Sequence, residues 1–564
     1  MALTSLLHIP PELISCILQY LSPIDIISCR RTCHTLYSLC NDSNLRYLVQ
    51  MERSGVSDDL HPGLCYSDRL RILEKREETW GTLDFRKPVQ VCVPFDSTGI
   101  YDFTGGAFLL GTRLYTASRR PTIGYSYISL PSLSEDQDQK LQWIGLNLGI
   151  QILDVGLAVH EHDLIAALTA KADVCSSSDR HMTLEIRLLS FSTGQHHPLA
   201  EQPIIFITTK SLLLGHCNVL IEIVGDFLAL LVTFPWAQNE HEDMFFLVRW
   251  KKGEAHCLRS SEWGAYAYFS FLSQDTLVIP NLVQNTLEIA KIVIKSDNIP
   301  HLVPLCVLNL PPLTRRASIV RLGCRAEPNP TGPGPLAIPA PSNRPFRDKA
   351  EDAIILFSVL IEDVQLHPGQ FHFPETRPFT FIVHRRALFA HIPAEHRACA
   401  PFSSTPDPAF EAVQVPWEAW GVATTRWFEG DPASMRWITT TAGQRAVTME
   451  DNAPTPIIVR DFNPYAVRSA RARASASGHS QQRCDWIEDL PNGNRMTLKV
   501  EDSVLDAGSV FKDDVRSSLP YVEIVTRAEY RYEGVLIDEE RILGLKTRQE
   551  DELGISSFDV HILG

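Results

Sequence analysis

The segments "HDLIAALTA" (162–170) and "GDFLALLVT" (225–233) are apolar runs of strand length. Each leads through a connection to a second strand, "HMTLEIRLLSFSTGQHH" or "DMFFLVRWKKGEAHC", that carries Arg, an apolar pair and a Gly turn. The pair recurs compactly in "QDTLVIPNLVQNTLEIAKIVI" and, with a longer connection, in "DAIILFSVLIED" followed by "PFTFIVHRRALFAHI". Weaker copies are "GTRLYTAS" with "TIGYSYISLPSL", "GQRAVTMED" with "TPIIVRDF", and "EERILGLK" with "FDVHILG". Runs this apolar belong to strands covered on both faces, and one such unit cannot supply both covers. About seven units, roughly 50 to 95 residues apart, must therefore stack on or close around one another.

Closure into a ring leaves only short, protected edges. The expected fold from about Val89 onward is thus all-β, a degenerate propeller of about seven blades. "LEIRLLSFSTGQ" resembles a WD-repeat strand and turn without the full signature. A β-solenoid is the alternative, although its units would be shorter and more regular. The whole chain reads as α+β and multidomain, because helical periodicity is confined to its beginning.

In "HIPPELISCILQYLSPIDIISCRRTCHTLY" (8–37), Pro10 opens a helix where a missing N–H costs nothing. Leu13, Ile14, Ile17, Leu18 and Leu21 follow at helical spacing. Ser22, Pro23 and Asp25 give a cap, a proline at the first helical position and an acid in the first turn. The second helix then carries Ile26 and Ile27, and a third, near 32–40, carries Cys33, Leu36 and Leu39. Three short helices bury only part of their apolar surface, so the rest of the chain or a partner must cover the remainder. The spacing of Cys29, Cys33, His34 and Cys40 fits no zinc knuckle.

"IPPELISCILQYLSPIDIISCRRTCHTLYSLCNDSNLRYL" resembles an F-box. Pro10, Glu12, Leu13, Ile17, Leu18, Leu21, Pro23, Asp25, Cys33 and Leu45 match that family's pattern, while Ile9, Thr32 and Tyr47 depart from it. The resemblance implies docking to the SKP-type adaptor of cullin-RING ubiquitin ligases. The implied adaptor-binding residues are Ile9, Pro10, Leu13, Ile14, Ile17, Leu18, Leu21, Pro23, Ile26 and Leu36. "SDRLRILEKREETWGTLDF" reads as an amphipathic helix with Leu70, Leu73, Glu77 and Trp80 on one face. With "YDFTGGAFLLG" it resembles segments that follow the box in fungal F-box proteins.

The expected division is an F-box at 1–50, a helical linker at 51–88 and a recruitment domain at 89–564. Two insertions interrupt the last. One, near 327–350, is rich in Pro and Gly and reads as a mobile loop. The other, near 465–495, alternates Arg with small residues and reads as a solvated loop, with phosphorylation or a weak nuclear signal as the sharper readings.

A net charge of −15 argues against a general nucleic-acid binder. The start lacks a basic n-region, and the most apolar later stretch, "VLIEIVGDFLALLVTF", is too short to span a bilayer. Thirteen scattered cysteines without a CxxC pair fit reduced thiols, hence cytosol or nucleus. No Walker loop, dinucleotide fingerprint, nucleophile elbow or zinc-protease helix is present. The His-dense turns at 160–163 and 195–197 read as solvent-facing, and the acid pairs Asp513–Asp514 and Glu539–Glu540 as polar loops. The expectation is a non-catalytic adaptor without metal or cofactor, recruiting a protein target for ubiquitination. The alternatives are a free-standing propeller binder or enzyme whose helical hairpin packs in cis, and an F-box scaffold acting outside the ligase.

Overall fold

The computed structural model describes residues 6–59, 63–113, 121–130, 141–173, 181–211, 217–234, 243–261, 264–295, 298–332, 345–363, 375–397, 411–430, 437–450, 454–477, 485–508, 510–548 and 551–562. It begins with α1 (Pro11–Leu18), α2 (Pro23–Arg30), α3 (His34–Cys40) and α4 (Ser43–Ser54). Ser22 caps α2 by accepting the Asp25 N–H at 3.2 Å, with Pro23 in the first turn. The fourth helix was not foreseen, and the expected boundary at 50 falls inside it. It ends on Gly55 at φ +67°, where a Cβ would strike the Gln444 side chain at 2.2 Å. A short strand, Val56–Asp58, and α5 (Tyr66–Thr82) follow.

Among the described residues the β region resolves into seven blades built on four antiparallel strands, the fourth widened by Val413–Val415 in parallel and the sixth by Trp486–Asp489 and Arg495–Lys499. Every foreseen strand pair supplies the two middle strands of one blade, for example Leu164–Asp173 with His181–Ser190, and Phe227–Thr233 with Asp243–Arg249. The first two blades share the long strand Ile144–Ala158, whose start pairs with Thr122–Ser129 and whose end pairs with Leu164–Asp173. In the last blade, Val89–Cys92 pairs antiparallel with Asp551–Ile562, so the two ends of the β region are clasped together. A solenoid would leave those ends apart.

The apolar runs are explained by where alternate side chains go. In the third blade, Leu228, Leu230 and Val232 join the core shared with the second blade. Phe227, Ala229 and Leu231 join the core shared with the fourth. A strand sandwiched between two neighbours has no polar face, so its period-two pattern vanishes into a continuous hydrophobic run.

Two loop expectations are corrected. Residues 333–344 lie outside the described residues, but Phe346–Asp348 form a strand paired with Val56–Asp58. The Arg-rich stretch forms a helix, Pro464–Ala476, capped by Asn463 and holding Val467, Ala470 and Ala474 against the sixth blade. The sequence hides this because its apolar face consists largely of alanines.

Candidate docking face and its coupling to the propeller

The first three helices and the start of α4 enclose a small core of Ile14, Leu18, Ile26, Leu36, Cys40 and Leu45. All of its members, including the half-buried ones, lie between residues 9 and 49. This corrects the expectation that Ile14, Leu18, Ile26 and Leu36 face a partner: they are 1%, 2%, 2% and 9% exposed. The Leu13–Leu21 stripe splits in two. Ile14 and Leu18 point inward at i,i+4, while Leu13 (53% exposed) and Ile17 (44%) point outward at the same spacing. Pro10 is exposed, and Ile9, Leu21 and Pro23 are half-buried along the rim.

Tyr20, Ile24, Ile27 and Tyr37 extend the outward surface. The sequence reading left these four out of the face, although Leu13, Ile17 and Tyr20 keep helical spacing one step out of phase with the core. Ile24 and Ile27 likewise keep helical spacing on α2, so each set shares one side of its own segment. The Arg30 guanidinium lies 5.1 Å from the Tyr37 ring centre, and its hydrogen bond lowers the phenol's pKa.

The C-terminal half of α4 leaves that core. Tyr47 and Met51 pack with Val56, Leu70, Leu73 and Phe346. Burial and Asp58 keep Tyr47 protonated, and its hydroxyl donates to Asp58 Oδ1 at 3.0 Å. Arg69 closes on the same carboxylate at 2.8 Å. Farther along α5, Trp80 enters the core of the sixth and seventh blades and donates to the Glu539 carbonyl at 3.2 Å.

Arg76 is 2% exposed and sits 2.6 Å from Asp348. Burial opposes its charge, but Asp348, Glu77 and Glu539 outweigh burial and hold it protonated. Arg445 bridges Glu77 at 2.6 Å and Asp461 at 3.0 Å, and Lys349 meets Glu52 at 2.7 Å. The expected linker is therefore built into the propeller.

Other expected features are also repositioned. His162 and His197 are structural: each stacks edge-on against Trp250, near 5 Å, and their Nε2 atoms contact the Gly225 and His162 carbonyls. Among the described residues no group of three or more His, Cys, Asp or Glu is arranged to hold a metal. Glu540 is 4% exposed beside Arg541, so that acid pair is not a solvated loop.

Residues 6–48 match the F-box domain model. No curated protein sequence matches the chain. Among solved structures, the N-terminal domain of Nup159 aligns at TM-score 0.32 and 9% identity, covering 85% of this chain and 94% of that one. YCF48 bound to D1 peptide aligns at 0.30 and 8%, covering 86% and 97%. Kluyveromyces lactis Hsv2 aligns at 0.25 and 8%, covering 75% and 98%. The segment that matches the F-box domain model, residues 6–48, is joined through a docked helical connector to a seven-bladed β-propeller.

Proposed function

We propose that this chain is the substrate-recognition subunit of an SKP-adaptor, cullin and F-box ubiquitin ligase. The observation that carries the reading is the outward face of α1 and α2. Leu13, Ile17, Tyr20, Ile24 and Ile27 stand exposed on helices whose other side already has a complete core. Burying one such side chain in an interface is worth roughly 1.5–3 kcal/mol, so the face can support docking by itself.

The connector strengthens the proposal. The role of an adaptor is to hold a target near the transferring enzyme, and proximity lowers the barrier only when the geometry is kept. The α5 ion pairs and the Trp80 anchor keep it. Arg76 and Trp80 contact the turn at Glu539, and Gly55 meets Gln444, so the connector occupies the face bearing those first turns and carries the box on that side. The opposite face, bearing the connections between second and third strands, is left for a target protein. Catalysis belongs to other subunits in this reading, and the site of action is cytosol or nucleus. Tagged purification tests it: an SKP-type adaptor and a cullin are expected to co-purify, and a preparation with neither would overturn it. Fractionation of the tagged chain tests the location.

A further inference from the structure

The Arg-rich helix Pro464–Ala476 belongs neither to the outward face of the box nor to the connector. Its inward side is small: Val467, Ala470 and Ala474 lie against the sixth blade. Its outward side carries Arg468, Arg471, Arg473 and Ser475, all exposed, and the helix contains no carboxylate. Arg473 pairs with Glu488 at 3.2 Å. Arg468 lies over the Tyr465 ring at 4.6 Å, and among the described residues neither it nor Arg471 meets an acid. Arg468 and Arg471 stand three residues apart, so two like charges repel along one ridge. The inward packing of the helix uses neither, and the chain around them has a net charge of −15.

Ser475 completes the ridge. It follows Arg471 by four residues and Arg468 by seven, positions that share one helix face, and Arg473 precedes it by two. Its hydroxyl donates to the Arg471 carbonyl at 3.0 Å, within the helix, and its oxygen faces solvent. The last turn is lightly held. Its one buried side chain is the methyl of Ala474, and the Arg473–Glu488 pair is partly exposed, which makes it a weak tie. Local opening at this end is therefore cheap, and it presents an extended Arg-Ala-Arg-Ala-Ser to an enzyme.

We propose that Ser475 is a phosphorylation site for a protein kinase whose substrate groove is acidic. The Ser475 Oγ attacks the γ-phosphorus of ATP. The Oγ–P bond forms as the bond from that phosphorus to the β-phosphate oxygen breaks, ADP leaves, and the hydroxyl proton passes to the kinase's base. The phosphoserine carries close to two negative charges, which offset Arg468 and Arg471 and turn the ridge from basic to neutral. The site lies outside residues 6–48, so it stands or falls separately from adaptor docking. The test incubates the full-length protein with ATP and an extract of the organism's own cells, phosphatases inhibited, and locates phosphate by mass spectrometry. Phosphate on Ser475 is expected, and Arg471→Ala should slow its incorporation roughly tenfold, the loss of one charge-assisted contact. Arg471 is exposed, so the melting temperature of that variant should equal that of the parent. An unmodified Ser475, phosphate on Ser469 or Ser477 in its place, or an equal rate in Arg471→Ala would overturn the proposal.

Discussion

The F-box and the connector are both short helices next to the same propeller, yet they are held in different ways. The box closes a core from its own residues 9–49 and turns a second apolar surface outward. The connector has no complete core of its own; it borrows Phe346 and the sixth and seventh blades, and secures the contact with buried ion pairs. In the proposed reading the outward apolar face meets a partner, whereas the inward one is a structural joint. Proximity to a large domain therefore says little about whether a helix serves that domain.

The comparison can be broken most drastically by truncation. Removing 1–83 takes Trp80 and Arg76 out of the propeller and should give aggregated or unfolded protein, while removing 1–41 should leave a propeller that melts normally. Equal behaviour of the two fragments on size exclusion would erase the distinction. Arg76→Ala strands Asp348 in a buried site and should cost about 3–5 kcal/mol in denaturant unfolding. Leu18→Ala should destabilise the box by about 2–5 kcal/mol, and Ile17→Ala, on the outward face, by less than about 0.5 kcal/mol. Limited proteolysis of 6–48 reads that difference.

Acidity sharpens it further. Burial, partly offset by Arg325, pushes Glu222 up to about 7. A carboxyl whose folded pKa is raised stabilises the fold fully below its unfolded pKa and loses that contribution as pH rises through 7. Glu222→Gln should therefore raise the melting temperature of the propeller at pH 8 and leave it nearly unchanged at pH 4, without affecting proteolysis of the box. Ser22→Ala should cost the box about 1 kcal/mol through the lost cap, between the Leu18→Ala and Ile17→Ala effects.

The blades were legible because each contributes two middle strands whose side chains face two neighbours, which prints an apolar run into the sequence. Ser22, Pro23 and Asp25 likewise announced α2. The division of α1 was not legible: Leu13, Ile14, Ile17 and Leu18 occupy adjacent helical angles, and hydrophobicity alone does not say which pair meets a core. Arg76 and Arg445 were hidden for another reason. Asp348 lies 272 residues from Arg76, and Glu77 lies 368 from Arg445, so only the tertiary fold joins these pairs and no local spacing encodes them. The helix at Pro464–Ala476 escaped because alanine packs closely but scores as a small loop residue.

The most direct test of the docking face is the Ile17→Asp substitution in the full-length protein, followed by co-purification with an SKP-type adaptor. Ile17 is outside the box core, so the account predicts that the box resists proteolysis as before, the propeller melts as before, and adaptor recovery falls at least tenfold. Full recovery of the adaptor by the folded Ile17→Asp protein would contradict it.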